Sequence, residues 1–168
     1  MLSKDSIALR PFEQQHAQEA LQLINHPTIA AGLMRHLPVT MLEHQNWYEQ
    51  LMSDSKNLYF SVCYQAMFIG CTGLRQIDMR NQKAAFFIFL NGRYTKKGWG
   101  TLATELCVQY AFKYLNLHKV YLEVLSTNTA AIQLYQKVGF QQAGVFKKDY
   151  FSEGSFKDVL YFELLRDE

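Results

Sequence analysis

Residues 94–101, Tyr94-Thr95-Lys96-Lys97-Gly98-Trp99-Gly100-Thr101, set two glycines and two lysines at the head of a run with helical periodicity. Glycine lets a backbone approach a ligand closely. The first turn of a helix offers N–H groups that lack intrahelical acceptors, at the positive end of the helix dipole. A phosphate is the natural guest of such a place. Lysines beside a helix N-terminus are mildly unfavourable without an anion, so Lys96 and Lys97 point the same way. The segment is not a Walker loop, because no GK[ST] is present. It is not a dinucleotide fingerprint either: position 103 is Ala, and no ribose-binding acid stands at the expected distance.

A second constellation runs from Asn128 to Phe140. Asn128 is a preferred helix N-cap. Ala131 and Tyr135, four apart, share one helix face. A phenol has a reference pKa of about 10, so Tyr135 is protonated at neutral pH and able to donate a proton. From spacing alone a packed core tyrosine is the better reading. The five histidines, His16, His26, His36, His44 and His118, have no metal-ligand spacing, and HExxH is absent. His36 and His44 read as surface or capping residues. Cys63, Cys71 and Cys107 form no CxxC pair and read as buried free thiols.

Together these residues resemble the Gcn5-related N-acetyltransferases (GNAT). Thr95-Lys96-Lys97-Gly98-Trp99-Gly100 is similar to their Q/R-x-x-G-x-G/A motif, with both glycines in place and a departure at Thr95. Asn128, Ala131, Leu134, Tyr135, Gly139 and Phe140 complete their N-x-x-A-x-x-L-Y-x-x-x-G-F. Leu115-Asn116-Leu117-His118-Lys119-Val120 and the stretch from Tyr150 to Leu165 also look like the branch holding the ribosomal-protein, polyamine and amino-sugar acetyltransferases. The resemblance implies a GNAT fold, acetyl-CoA as co-substrate, no metal, and direct transfer of the acetyl group to a primary amine. It implies a coenzyme site at Phe89, Leu90, Lys96, Lys97, Gly98, Trp99, Gly100, Thr101, Asn128 and Ala131, with Tyr135 as the general acid for the departing thiolate. In this family Asn128 would contact the pantetheine region as well as cap its helix.

Acetyl transfer to an amine needs a neutral nucleophile, a stabilised thioester oxygen and a proton for the thiolate. Many relatives carry a Glu in the fourth strand to serve the amine through water. Here that stretch, Ala84-Ala85-Phe86-Phe87-Ile88, has no acid. Glu123 and Asp78 are the candidate bases, and each reads equally as a surface or ion-paired carboxylate. An amine of pKa about 10.4 is neutral roughly once in a thousand at pH 7, and one near 8 about one time in ten. The missing acid therefore leans toward an acceptor of lower pKa. In this fold the acceptor pocket is built between the first two strands, and residues 25–52 give it aromatic and basic character. His26, Met34, Arg35 and Trp47 are its candidate lining, beside His36 and Tyr48. Glu43 and Glu49 are its only acids, too few for a polycation site. An anionic or ring-bearing acceptor, such as a nucleotide-linked amino sugar, fits better. Asn25-His26-Pro27 and Glu43-His44-x-x-Trp47 look like that branch. Protein N-terminal or polyamine acetylation is the alternative within enzymes, and a non-catalytic acyl-CoA-binding module the alternative outside them.

The elements that must position these residues follow from pattern. Residues 7–12 read as a strand stopped by Pro11. Residues 13–24 read as a helix through Ala17, Ala20, Leu21 and Ile24, broken by Asn25-His26-Pro27. Thr40 and Glu43 have capping-box spacing, so a helix starts at Met41, with Leu42, Trp47, Leu51 and Met52 on its buried side. Residues 58–64 and 68–78 read as a hairpin. The nearly continuous apolar run 84–90 reads as a central strand covered on both faces. A helix from Gly98 to about Tyr114 follows, with Trp99, Leu102, Ala103, Leu106 and Tyr110 on one face. Then come a strand at 119–125, a helix from Asn128 to Val138, and a strand pair at 140–150 and 156–165. This order predicts an α/β domain over residues 1–168, with a mixed, mostly antiparallel sheet of about seven strands and about four helices.

Composition narrows the remaining classes. The chain has 168 residues, 49% hydrophobic and 19% charged, with ten Tyr. A domain of this size buries about 70% of its unfolded surface and needs no disulfide or metal to fold. A net charge of +2 without a basic run argues against a nucleic-acid partner. No stretch has the roughly 18 apolar residues of a membrane span, and residues 1–5 lack the apolar run of a signal peptide. The reading is a cytoplasmic protein acting on a small-molecule amine, with no membrane partner and room for a homodimer.

Overall fold

In chain order the elements are β1 (Leu2–Lys4), β2 (Ile7–Pro11), α1 (Gln14–Ile24), α2 (Pro27–Gly32), α3 (Met41–Ser53), β3 (Leu58–Tyr64), β4 (Met67–Asp78) and β5 (Lys83–Leu90). A 3₁₀ turn (Gly92–Tyr94), α4 (Trp99–Lys113), β6 (Lys119–Leu125), α5 (Thr129–Val138), β7 (Gln141–Ser152) and β8 (Ser155–Leu165) follow. This computed structural model describes residues 2–94 and 97–166. The strands form one sheet in the order β1-β2-β3-β4-β5-β6-β8-β7. Only β5 and β6, among the described strands, pair in parallel.

The α/β class and the mixed sheet agree with the sequence expectation. The counts differ: eight strands rather than about seven, and five α-helices rather than about four. The additional strand is the three-residue β1, which pairs with β2 and is too short to carry an alternation signal. The additional helix is α2. The Asn25-His26-Pro27 break is real, but Pro27 at the first helical position starts a new turn as well as ending the old one.

Helices cover both faces of the sheet at β5. On one face Phe86, Val120, Leu122 and Val124 pack with Ala103, Leu106 and Cys107 of α4 and Tyr135 of α5. On the other, Phe87, Phe68 and Cys71 pack with Ala17 and Ala20 of α1, and Trp47 and Leu51 of α3 lie against them. Burial on both faces explains the unbroken apolar run of β5. The buried side of α4 is wider than the expected stripe, since Thr104, Val108 and Ala111 are also inside. The β3–β4 hairpin turns at Gln65 and Ala66, both with positive φ, which suits the strand twist without glycine.

The Thr40–Glu43 capping box forms as its spacing requires. The buried side of α3 is not the expected one: Leu42 and Met52 are 69% and 57% exposed, and His44 is 7% exposed. His44 is neither a surface nor a capping residue. Its Nε2 donates to the Ala17 carbonyl at 2.7 Å, which fixes α3 to α1, and its ring stacks on Trp47. Burial pushes its pKa below the usual 6.5. A histidine of lowered pKa stabilises the fold above its unfolded value, and that contribution is lost as pH falls through the folded one. Wild-type stability in urea should therefore drop below about pH 6.5 more steeply than that of His44→Asn. Parallel slopes for the two proteins would show that His44 does not contribute.

Candidate active site

β5 and β6 pair through only three residues each, Lys83↔Lys119, Ala84↔Val120 and Ala85↔Tyr121, and then diverge. Each strand keeps its other neighbour to the end, β4 for β5 and β8 for β6. The sheet therefore opens between Phe86–Leu90 and Leu122–Leu125. The Asn91 N–H donates to the Ile69 carbonyl at 2.8 Å, which makes Gly70↔Leu90 a non-hydrogen-bonded pair. The N–H and C=O of Leu90, and by alternation those of Ile88, turn away from β4 toward the opening. Such a strand edge suits an extended amide-bearing chain that pairs with it as a strand would.

The cavity in the opening is about 130 Å³ and is lined from both faces of the sheet. Ile88, Phe89 and Leu90 form one flank, Glu123, Val124, Asn128 and Tyr135 the other, and Ile29, Gly32 and Leu33 of the α2 region close one end. Val124 and Tyr135 belong to the α4–α5 side, whereas Glu123 alternates to the opposite face.

The glycine loop meets the opening at the start of α4. Gly98 is the N-cap, with φ +78°, a conformation that favours glycine, and no side chain among the described residues caps the helix. The amides of Trp99, Gly100 and Thr101 have no acceptor within the first turn, which is the cradle a pyrophosphate needs. Gly100 serves the packing of the helices instead. A Cβ there would lie 2.7 Å from Leu134 Cδ1, so its absence lets α4 and α5 close together. Trp99 stacks on Tyr64 at 4.1 Å and carries the Lys97 ammonium 4.9 Å above its ring, so it anchors the loop rather than facing the opening. The expectations for Thr95 and Lys96 lie outside the described residues. Asn128 caps α5 through the Ala131 N–H at 3.3 Å and also lines the opening.

Tyr135 has the Phe86 and Phe140 rings edge-on, with centroids at 6.1 and 5.9 Å. Its hydroxyl has no hydrogen-bond partner among the described residues, and burial pushes its pKa up to about 12. It therefore holds its proton throughout the neutral range. Glu123 shares the cavity with it. Asp78 does not: it holds the β4–β5 turn by accepting from the Asn81 N–H at 2.9 Å and from Asn81 Nδ2 at 2.7 Å, and it lines neither cavity. Short polar residues at turns do this routinely.

A larger cavity, about 460 Å³, lies between α1, α3, the α2–α3 connection and the sheet. It shares Leu33 and Phe89 with the opening. Arg35 and Trp47 line it as expected; His26 and Met34 do not. His26 is the N-cap of α2, its backbone carbonyl accepting from the Ile29 and Ala30 amides, and its side chain lines neither cavity. Met34 sits at φ +53° in the turn that leaves α2. Phe12, Tyr59, Arg75 and Phe87 line the cavity beyond the sequence expectation, since alternation along a strand says which residues share a face but not which helix leaves a gap above them. The one carboxylate in the lining, Glu43, accepts from the Thr40 N–H at 2.8 Å, a bond that lowers its pKa.

One parallel strand pair splayed around a buried tyrosine, beside the start of α4, is the arrangement that the comparison with known proteins bears on. Residues 6–141 match the acetyltransferase (GNAT) domain family, and the chain belongs to that family. It is an acetyl-CoA-dependent N-acetyltransferase. It is 31% identical over 163 residues to a spermidine N(1)-acetyltransferase of Vibrio cholerae (strain ATCC 39315 / El Tor Inaba N16961), covering 96% of this chain and 94% of that one. It is 29% identical over 160 residues to the spermidine N(1)-acetyltransferase of Escherichia coli K12, covering 95% and 86%. It is 24% identical to a putative ribosomal N-acetyltransferase, YdaF, of Bacillus subtilis (strain 168), covering 73% and 67%. A crystal structure of spermidine N-acetyltransferase from Vibrio cholerae in complex with CoA and spermine superposes with a TM-score of 0.92 at 27% identity, over 95% of each chain. These relatives support the polyamine alternative more than the amino-sugar expectation.

Replacing Gly100 with Leu should push α5 away from α4 and weaken acetyl-CoA binding by roughly tenfold or more. Gly98→Ala meets open space and should add only the strain of a left-handed residue, about 1–2 kcal/mol. Calorimetric titration with CoA measures both, and unchanged affinity in folded Gly100→Leu would remove the α4–α5 junction from the site.

Proposed function

We propose that this protein acetylates the primary amine of a small molecule held in the 460 Å³ cavity, by direct attack on the acetyl-CoA thioester in the β5–β6 opening. One observation carries the reading: Tyr135 and Glu123 line the same opening from opposite faces of the sheet. Glu123 takes a proton from the attacking amine, directly or through a water. The N–C bond forms as the C–S bond breaks, and the Tyr135 hydroxyl delivers its proton to the sulfur. With its pKa raised to about 12, Tyr135 is in its acid form throughout the neutral range, so a proton is in place when the C–S bond breaks.

For the acceptor, the named relatives support a polyamine. A second reading has its own observation. Arg35 and Arg75 line the cavity, while its single carboxylate, Glu43, is committed to the cap of α3. Two guanidinium groups among Phe12, Trp47, Tyr59 and Phe87 disfavour a polycation and suit an anionic or ring-bearing amine, such as a nucleotide-linked amino sugar.

Thiol release with spermidine, an amino-sugar nucleotide and a peptide with a free N-terminus separates these acceptors. Turnover of spermidine alone would support the first reading, and turnover of the sugar nucleotide alone the second. CoA binding without turnover of any amine would leave an acyl-CoA-binding module. With the active acceptor, Tyr135→Phe should lower kcat by about 10²–10⁴ and leave acetyl-CoA affinity nearly unchanged. Wild-type turnover in that variant, with chemistry rate-limiting, would return Tyr135 to the core.

A further inference from the structure

Residues 33–39 join α2 to α3 without helix or strand, and Leu33, Arg35, Leu37, Pro38 and Val39 all line the larger cavity. Irregular backbone has no ladder of its own to hold it, so such a wall must be fixed from outside. The Leu33, Met34 and Arg35 amides donate to carbonyls of α2, and two further fixings hold the rest of the segment. At one end Asn25 clasps Val39: Asn25 Nδ2 donates to the Val39 carbonyl at 2.8 Å, and the Val39 N–H donates to Asn25 Oδ1 at 2.8 Å. In the middle, the His36 ring stacks on Tyr150, with centroids 4.7 Å apart and planes within 11°. The Tyr150 hydroxyl also lies 3.5 Å from His36 Nδ1. Tyr150 belongs to β7, the outer strand of the sheet, and lines neither cavity.

What the segment holds in place is the passage between the two cavities. Leu33, its first residue, lines both, and the other residue common to both is Phe89 of β5. Leu33 and Phe89 therefore stand where the two cavities adjoin. Leu33 follows directly on α2, and the left-handed Met34 next to it turns the chain toward His36. Leu33 and Arg35 are bonded to α2 through their amides, so His36 is the first residue of the segment beyond that hold.

We propose that residues 33–39 form a strap that shapes the acceptor side of the reaction, and that Tyr150, acting through His36, is a positioning residue for the acceptor. The proposal rests on the larger cavity being the acceptor site. Tyr150 touches neither substrate in this scheme. The ring stack holds His36 against β7 and so keeps its neighbours Arg35, Leu37 and Pro38 in the cavity wall. The coenzyme cradle on α4 lies on the other face of the sheet and is independent of the strap.

The test is steady-state kinetics with spermidine and with the amino-sugar nucleotide, alongside hydrogen exchange of residues 33–39. Tyr150→Ala should raise the KM of whichever acceptor is turned over by about fivefold or more, keep the KM of acetyl-CoA within about twofold, and speed exchange in the strap. Tyr150→Phe keeps the ring and should stay close to wild type. If Tyr150→Ala does not fold, His36→Ala removes the same stack from the exposed side and should give the same split. Arg35→Ala, in the cavity wall, reports on the acceptor site itself. A raised acceptor KM in Arg35→Ala with none in Tyr150→Ala would overturn the strap and leave the cavity reading standing. No change in either variant would overturn both. An equal rise in the KM of both substrates, or slow exchange retained in Tyr150→Ala, would also overturn the strap.

Discussion

The parting of β5 from β6 after three residue pairs is the constraint on which the rest of this molecule depends. Parallel strands need a long crossover, and here it is α4, which must begin where β5 ends. Its uncapped N-terminus therefore falls beside the opening as a consequence of topology. The same holds for α5, which begins where β6 ends and brings Asn128 and Tyr135 to the other flank. In open α/β sheets ligands gather at the carboxyl ends of strands that part in this way. The exposed edges of Leu90 and Ile88 supply backbone polarity, and the helix start supplies charge complementarity. Close packing at Gly100 against Leu134 holds the two helices at the separation the opening needs.

The larger cavity is built differently. It is not a product of strand topology but of the helical insertion between β2 and β3, whose parts are fixed by individual side chains. His44 binds α3 to α1, Thr40 and Glu43 start α3, and Asn25 holds Val39. Each is a polar contact made across a short connection. A change in any of them alters the cavity without disturbing the sheet, so relatives with the same coenzyme site are free to differ in what they acetylate. That freedom is why a shared family does not by itself name the acceptor.

The difference also decides what is legible in the sequence. β5 is readable because seven consecutive apolar residues, 84–90, have few other uses, and α5 because Asn128 and Gly139 mark its two ends. The coenzyme loop is readable through Gly98, whose left-handed backbone few other residues accept. For α3 the capping box gives the right start, but hydrophobicity gives the wrong rotation. Leu42 and Met52 outrank His44 on any apolar scale, and only a carbonyl supplied by α1 makes His44 the better residue to bury. Arg75 and Tyr59 escape a sequence reading because their importance lies in the gap above them, which no local pattern encodes. Asp78 misleads for a related reason. A carboxylate near a strand end has the same letter whether it faces a substrate or, as here, ties a turn through Asn81.

The opening is lined from both faces of the sheet, and this has a consequence for traffic. A pocket sunk into one surface has a single mouth, where one reactant must leave before another can arrive. A gap between strands has two. Val124 and Tyr135 stand toward the helices of one side, and Glu123 toward the other, with Leu33 and Phe89 marking the way to the larger cavity. A sheet that elsewhere serves as a wall is open here to both of its sides.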